Sequence, residues 1–388
     1  MSQKIKRLRI DSNIYDCYLY MDYFFFIWND NTLRYIKTKQ IVDQVSENYN
    51  LKKNFVETIF TKNPRSKRNI DKDWYLSNWY RSPNNFNFTI NAEDTNVLCQ
   101  MPSEPILDFL IYCERLYIAN RDGLYEIILN FTRKEIRVVK ELTKVFDSKS
   151  VSISAKSGNI LISTSSDGLF NSSLWQSNPN IYVNQRSIED KSIKAIWSGI
   201  DFINYENKAK FKYYDNEHER IKRGEAHFSS KSSMVGQRRL KEIGVGIFNS
   251  DELLNEQDNI SLIFNNNNYI FIFDKNGRVK SRSLNHRLGR EEIISDNEKD
   301  FAELEGNDLP LELHSTSMGV VLEYFDKVQL IIDKKNYLLH NDEALCIRTF
   351  PKSFNYRNII AISKNSGFDL CSICKYEEEE IHTVGNKL

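Results

Sequence analysis

Two cysteines three residues apart, Cys371 and Cys374, have the spacing of half a zinc site or of a thiol redox pair. Either chemistry needs more: a second pair of ligands for the metal, or a helix N-terminus to lower a thiol pKa. The surrounding residues instead alternate as a strand, in which positions three apart point to opposite faces. One neighbouring histidine, His382, cannot complete a tetrahedral site, so both thiols read as structural. The six histidines (His218, His227, His286, His314, His340 and His382) are dispersed, and none has the His-Glu-x-x-His spacing. His340, Asn341 and Asp342 form the most site-like group and equally suit an ordinary turn. No nucleophile elbow, P-loop or dinucleotide fingerprint occurs. Acidic residues between 323 and 342 raise the alternative of a metal-dependent hydrolase or nuclease: Glu323 and Asp326 with Lys327, or Asp333 with Lys334 and Lys335. Such a site needs carboxylates converging from different elements, which linear spacing does not establish. The reading assigns no catalytic residue, no metal ligand and no cofactor, and expects a protein that is not an enzyme.

Two groups of residues could bind instead of react. Lys62, Arg65, Lys67 and Arg68 precede Trp74, Tyr75, Trp79, Tyr80 and Arg81. Cations that follow phosphates beside rings that stack on bases suit single-stranded nucleic acid, with Arg65, Lys67, Arg68 and Trp74 as the contact residues. The plainer reading is a solvated loop followed by an aromatic strand. Further on, Arg220, Lys222, Arg223, Arg238 and Arg239 decorate a polar stretch, and neighbouring Glu217, Glu219, Glu225 and Glu242 offset much of their charge. That stretch reads as a partner-binding loop.

The bulk composition narrows the classes further. Lys plus Arg and Asp plus Glu are 53 each among 388 residues, so no global field draws the chain to nucleic acid or membrane. The longest apolar run, Tyr23–Trp28, is far short of the roughly 20 residues of a membrane helix. The basic start, Lys4 to Arg9, leads into a stretch broken by Asp11, Asp16 and Asp22 without a cleavage site, unlike a signal peptide. Six scattered cysteines do not form a secreted disulfide framework. A soluble cytoplasmic protein is expected.

The elements that must position these residues are strands. The 23 Phe and 20 Tyr favour pleated, half-buried surfaces. Residues 115–125 lie over residues 160–170 without a gap, Asp122 and Gly123 falling on Asp167 and Gly168, an offset of 45 residues. Each copy is an apolar strand, a tight turn closed by Asp-Gly, and a strand opening with Leu and an aromatic; Asp and Gly tolerate the positive φ of such turns. Hairpins recur around Asn276-Gly277, Asp326-Lys327 and Asn365-Ser366-Gly367, and residues 15–36 read as a three-stranded meander. Periods of about 40–50 residues with hairpin content mark propeller blades. Ile41, Val42, Val45, Phe55 and Ile59 break the rhythm with helical spacing. The acidic run 295–308 reads as a surface loop or short helix. No linker divides the chain, which argues against two small β domains.

The paired units Leu116-Tyr-Ile with Asp122-Gly-Leu-Tyr and Leu161-Ile-Ser with Asp167-Gly-Leu-Phe resemble those of divergent β-propellers in bacterial and eukaryotic scaffolding proteins. They lack the Gly-His and Trp-Asp dipeptides of true WD40 repeats. The front meander from Tyr18 to Ile36, followed by Gln40-Ile-Val-Asp43, is similar over about forty residues to propellers that accompany an AAA-type ATPase and a von Willebrand A-domain protein in bacterial conflict operons. That resemblance implies a non-catalytic recognition subunit of a defence system. The expectation is therefore an all-β protein, a single β-propeller domain over 1–388. About seven blades (six to eight) carry a helical insertion near 38–60 and a long polar loop near 214–241. Its role is protein binding, with nucleic acid as the alternative partner and no membrane.

Overall fold

The computed structural model describes residues 4–374 except 13, 62–70, 133–134, 174–185, 200, 221–237, 255–259, 267–268, 285–292, 295–298, 304–308, 333, 352 and 354. The chain opens with β1 (Ile5–Ile10), then β2 (Ile14–Tyr20), β3 (Tyr23–Trp28) and β4 (Thr32–Lys37). Three helices follow, α1 (Thr38–Asn48), α2 (Lys53–Phe60) and α3 (Lys72–Arg81), then β5 (Asn85–Phe88) and β6 (Asn96–Gln100). The next meanders are β7 (Ile106–Tyr112), β8 (Arg115–Asn120), β9 (Leu124–Phe131) and β10 (Ile136–Phe146), then β11 (Ser152–Lys156), β12 (Asn159–Ser163), β13 (Leu169–Ser173) and β14 (Arg186–Glu189). After them come β15 (Lys194–Ser198), β16 (Asp201–Asn207), β17 (Lys210–Arg220) and β18 (Arg238–Asn249), and a short α4 (Ser250–Leu254). The last are β19 (Ile260–Asn266), β20 (Tyr269–Asp274), β21 (Arg278–Ser283), β22 (Lys299–Glu303), β23 (Glu312–Ser315), β24 (Val320–Glu323), β25 (Val328–Ile332), β26 (Lys335–His340), β27 (Cys346–Thr349), β28 (Ile359–Lys364) and β29 (Gly367–Ile373).

These strands form seven sheets, the architecture of a seven-bladed β-propeller. Six are four-stranded, and the seventh runs β27-β28-β29-β1-β5. In it β1 lies antiparallel to β29, so the first and last strands share a sheet, and β5 pairs parallel to β1. The chain divides into two compact units, residues 1–101 with 308–388, and residues 102–307. The echoed segments are two meanders of the second unit: β7 to β10 and β11 to β14.

Both faces of the inner strands are covered, so apolar residues run continuously along them. On β12, Ile160 and Ile162 join Tyr117, Leu124 and Phe146, whereas Leu161 turns the other way to Leu169, Trp197 and Tyr214. β29 behaves alike. Cys371 and Ile373 pack with Val328, Leu330 and Ile360, while Leu370 and Cys374 pack with Phe24, Phe55 and Trp79. The two thiols of the Cys-x-x-Cys pair thus enter different cores. Burial pushes the Cys371 thiol up to about 11.

The helical insertion falls where the spacing places it, with Ile41, Val42 and Val45 of α1 and Phe55, Val56 and Ile59 of α2 buried. Three expectations need correction. Residues 72–81 form a helix and not an aromatic strand. Asp71 caps it by accepting from the backbone N–H groups of Asp73 and Trp74 at 2.8 and 3.1 Å, and Tyr75 and Trp79, four residues apart, share its buried side. Within the segment assigned to a polar loop, 214–220 and 238–241 belong to β17 and β18. β16 pairs with β17 only up to Tyr214, so the hairpin continues beyond the sheet. Its polar residues there make cross-strand contacts, including Lys241 Nζ to Glu217 Oε1 at 2.9 Å. Residues 299–303 form β22, which pairs only with β21 among the described strands, a sheet-edge position that tolerates acidic residues.

Candidate functional site

The sixth sheet, β23 to β26, brings together the groups most able to do chemistry. Successive side chains of a strand alternate in direction, so Glu312 and His314 share a face of β23 while Leu313 turns into the core. The register sets Glu312 directly opposite Glu323 of β24. His314 Nε2 lies 2.7 Å from Glu323 Oε2, and one ligand atom from each of the three residues falls within 4.8 Å of the others. The turn between the strands is stapled. Thr316 donates from its N–H (3.0 Å) and its hydroxyl (2.8 Å) to the Gly319 carbonyl, and Thr316 Oγ1 accepts from the Gly319 N–H. A Cβ on Gly319 would stand 2.0 Å from the Ile331 carbonyl oxygen, so only glycine lets β25 approach.

At the other end of this hairpin, Tyr324 N–H closes a turn on the Lys327 carbonyl at 2.9 Å. Phe325 stands out from that turn, 72% exposed. Leu311 donates its N–H to the Glu323 carbonyl at 2.7 Å, which sets it at the same end of the hairpin, and Leu309 and Leu311 are exposed as well. Lys327 lies over the Tyr324 ring, 4.9 Å from its centre.

Beside this sheet, Asp16 of β2 takes a bidentate grip from Arg348 of β27, at 2.8 Å from Nε and 2.6 Å from Nη2. The Cys346 thiol also donates to Asp16, at 3.3 Å. Burial, then the Asp16 carboxylate, and more weakly Glu323 keep that thiol protonated well above the usual range. Asp369, fully buried on β29, holds Lys364 at 2.7 Å and Arg7 at 3.4 Å. His340 borders this group; burial, then the Lys364 charge, lowers its pKa. A cleft of about 380 Å³ opens along α1, with Asp43, Glu47 and Asp94 among its polar lining and Phe88 and Ile90 among its apolar lining.

Of the sequence-assigned residues, Arg65, Lys67, Arg68, Lys222 and Arg223 lie outside the described residues. Trp74 sits on α3 with its ring edge-on to Phe55 and under Lys52 Nζ at 5.9 Å, so its aromatic surface is partly engaged. Arg220 and Arg238 are cross-strand partners at the end of β17 and β18, and Arg239 pairs with Glu219. Among the acidic residues singled out, Glu323 enters the cluster, Asp326 lies in the exposed turn, and Asp333 is outside the described residues. Sequence reasoning missed Glu312 and His314 as partners of Glu323. The alternation Glu-Leu-His was a signal for one shared face, but the opposing carboxylate comes from strand register.

No family model and no curated protein matches this chain. Among solved structures, the computationally designed Ika8 protein is similar at 10% identity and TM-score 0.42, covering 95% of this chain and 99% of that one. A chain of the mitotic checkpoint complex is similar at 7% identity and TM-score 0.45, covering 96% and 90%. The WD40 domain of Neurospora crassa Pan2 is similar at 10% identity and TM-score 0.38, covering 70% and 90%.

Proposed function

We propose that this chain is a non-catalytic scaffold that binds another protein, with the tip of the sixth sheet as part of its contact surface. β-Propellers commonly serve as protein-interaction scaffolds. The observation that carries the reading is Phe325, a large aromatic held out by a tight turn, with exposed Leu311 at the same end. Aromatic anchors amid apolar neighbours dominate binding energy at protein interfaces. The acidic cleft along α1 adds a place for a basic side chain of a partner. A recognition subunit of a bacterial defence complex is the finer form of this proposal, supported by the resemblance of the front meander. A cytoplasmic setting accompanies it, supported by six cysteines of which none is paired in a disulfide. Among the described residues no helix is long and apolar enough to cross a membrane.

The test is affinity purification from the host with wild-type chain and with Phe325→Asp. The wild type should retain one protein in constant ratio, and the variant, equally folded, should lose it at least tenfold. No stable partner, or a partner indifferent to Phe325→Asp and to Leu311→Asp, refutes this surface.

A further inference from the structure

We propose that Glu312, His314 and Glu323 form a binding site for a divalent transition-metal ion, zinc foremost, with one coordination position open to solvent. This inference is independent of the protein-binding role.

The donor set supports a metal in kind and in number. One imidazole nitrogen and two carboxylates are three ligands of mixed N and O character, which suits zinc or manganese; calcium and magnesium favour oxygen alone. The donors sit on two hydrogen-bonded strands and not on loops. The direct pairing of Glu312 with Glu323 and the shared face of Glu312 and His314 fix their relative positions. A metal bound at about 2.0–2.2 Å from each donor needs donors roughly 3–4 Å apart. The separations within 4.8 Å reach this by small carboxylate rotations. The 2.7 Å contact between His314 and Glu323 would be exchanged for bonds to the ion.

Two further features bear on the site. Carboxylates directly opposite on neighbouring strands repel, and a dication between them turns that cost into attraction. Glu312 is exposed while His314 and Glu323 are half-buried, so the ion has an entry path on one side and protein on the other. Water takes the remaining position.

The experiment is calorimetric titration of the full, metal-stripped chain with zinc chloride, repeated with manganese chloride. One ion per chain should bind, and His314→Ala, Glu323→Gln and Glu312→Gln should each weaken zinc binding at least about tenfold, or 1.4 kcal/mol. Asp326→Asn, in the neighbouring turn, should bind as wild type. A second measurement avoids dependence on variant folding: in wild-type chain, zinc should shift the ring nitrogens of one histidine in long-range proton–nitrogen NMR spectra and leave the other five unchanged. Absence of binding at millimolar zinc and manganese overturns the site. Stoichiometric binding unaffected by all three substitutions, or zinc shifts on several rings, overturns it equally.

Discussion

Gly168 gives the sharpest test of why the Asp-Gly echo exists. Its φ is +104°, a region that side-chain-bearing residues rarely enter, and a Cβ there would stand 1.8 Å from the Glu189 carbonyl oxygen. Gly123, at the matching position of the preceding sheet, faces the same obstacle, with the Phe146 carbonyl oxygen 2.0 Å away. In both sheets the edge strand, paired with the residue after the glycine, runs close against the turn. Gly168→Ala therefore carries two costs. Backbone strain is about 1–3 kcal/mol, and forced displacement in a packed region is about 1–3 kcal/mol. The obstructing atom is backbone, and moving it disturbs the pairing of Leu169 with Glu189. The combined loss should be on the order of 4 kcal/mol. Urea denaturation should show it as a lower midpoint at unchanged m-value. The companion variant, Asp167→Ala, removes an exposed side chain whose one hydrogen bond among the described residues is a 3.4 Å contact from the neighbouring Ser166 hydroxyl, and should stay within about 0.5 kcal/mol of wild type. A loss below about 1 kcal/mol for Gly168→Ala would refute the close-approach argument. So would an equal loss for Asp167→Ala, which would make the aspartate the essential half of the echo.

Two other perturbations follow from buried charges. Arg348→Ala leaves Asp16 buried without its bidentate partner and should cost about 3 kcal/mol, read by denaturant midpoint; in the double variant with Asp16→Ala, much of that cost should vanish. Burial lowers the Lys6 pKa to about 8 from an ordinary value of 10.5, even though its ammonium donates to the Ser82 carbonyl and to Asn84. Between those pH values the unfolded chain holds the proton more tightly than the folded chain, so this group makes stability rise with pH from about 8 to 10.5. The midpoint of wild type relative to Lys6→Met should therefore climb across that window, and a flat difference would contradict the burial.

Roles that depend on a residue's immediate neighbours are legible at the turns and periodicities of the chain, the Asp71 cap of α3 being the exception. Glycine tolerates the positive φ of the turns at 123 and 168 whatever lies around them, and alternation or helical spacing marks the strands of the echo and the faces of α1 and α2. The same logic assigned Cys371 and Cys374 to opposite faces, because strand geometry alone decides it. Where the deciding partner lies far along the chain, the residues by themselves were mute or misleading. Trp74, Tyr75, Trp79 and Tyr80 have the composition of a strand, but the core that Phe24 and Leu370 offer to Tyr75 and Trp79 favours a helix. Residues 215–220 are polar enough for a loop until β18 comes alongside to satisfy their backbone. Glu323 acquires His314 and Glu312 only through the register of β23 on β24, a one-residue slip of which would send Glu323 to the other face. Turns and periodicities are short-range properties of covalent geometry, whereas register and burial are settled by the whole fold, and the candidate metal cluster belongs to the second kind.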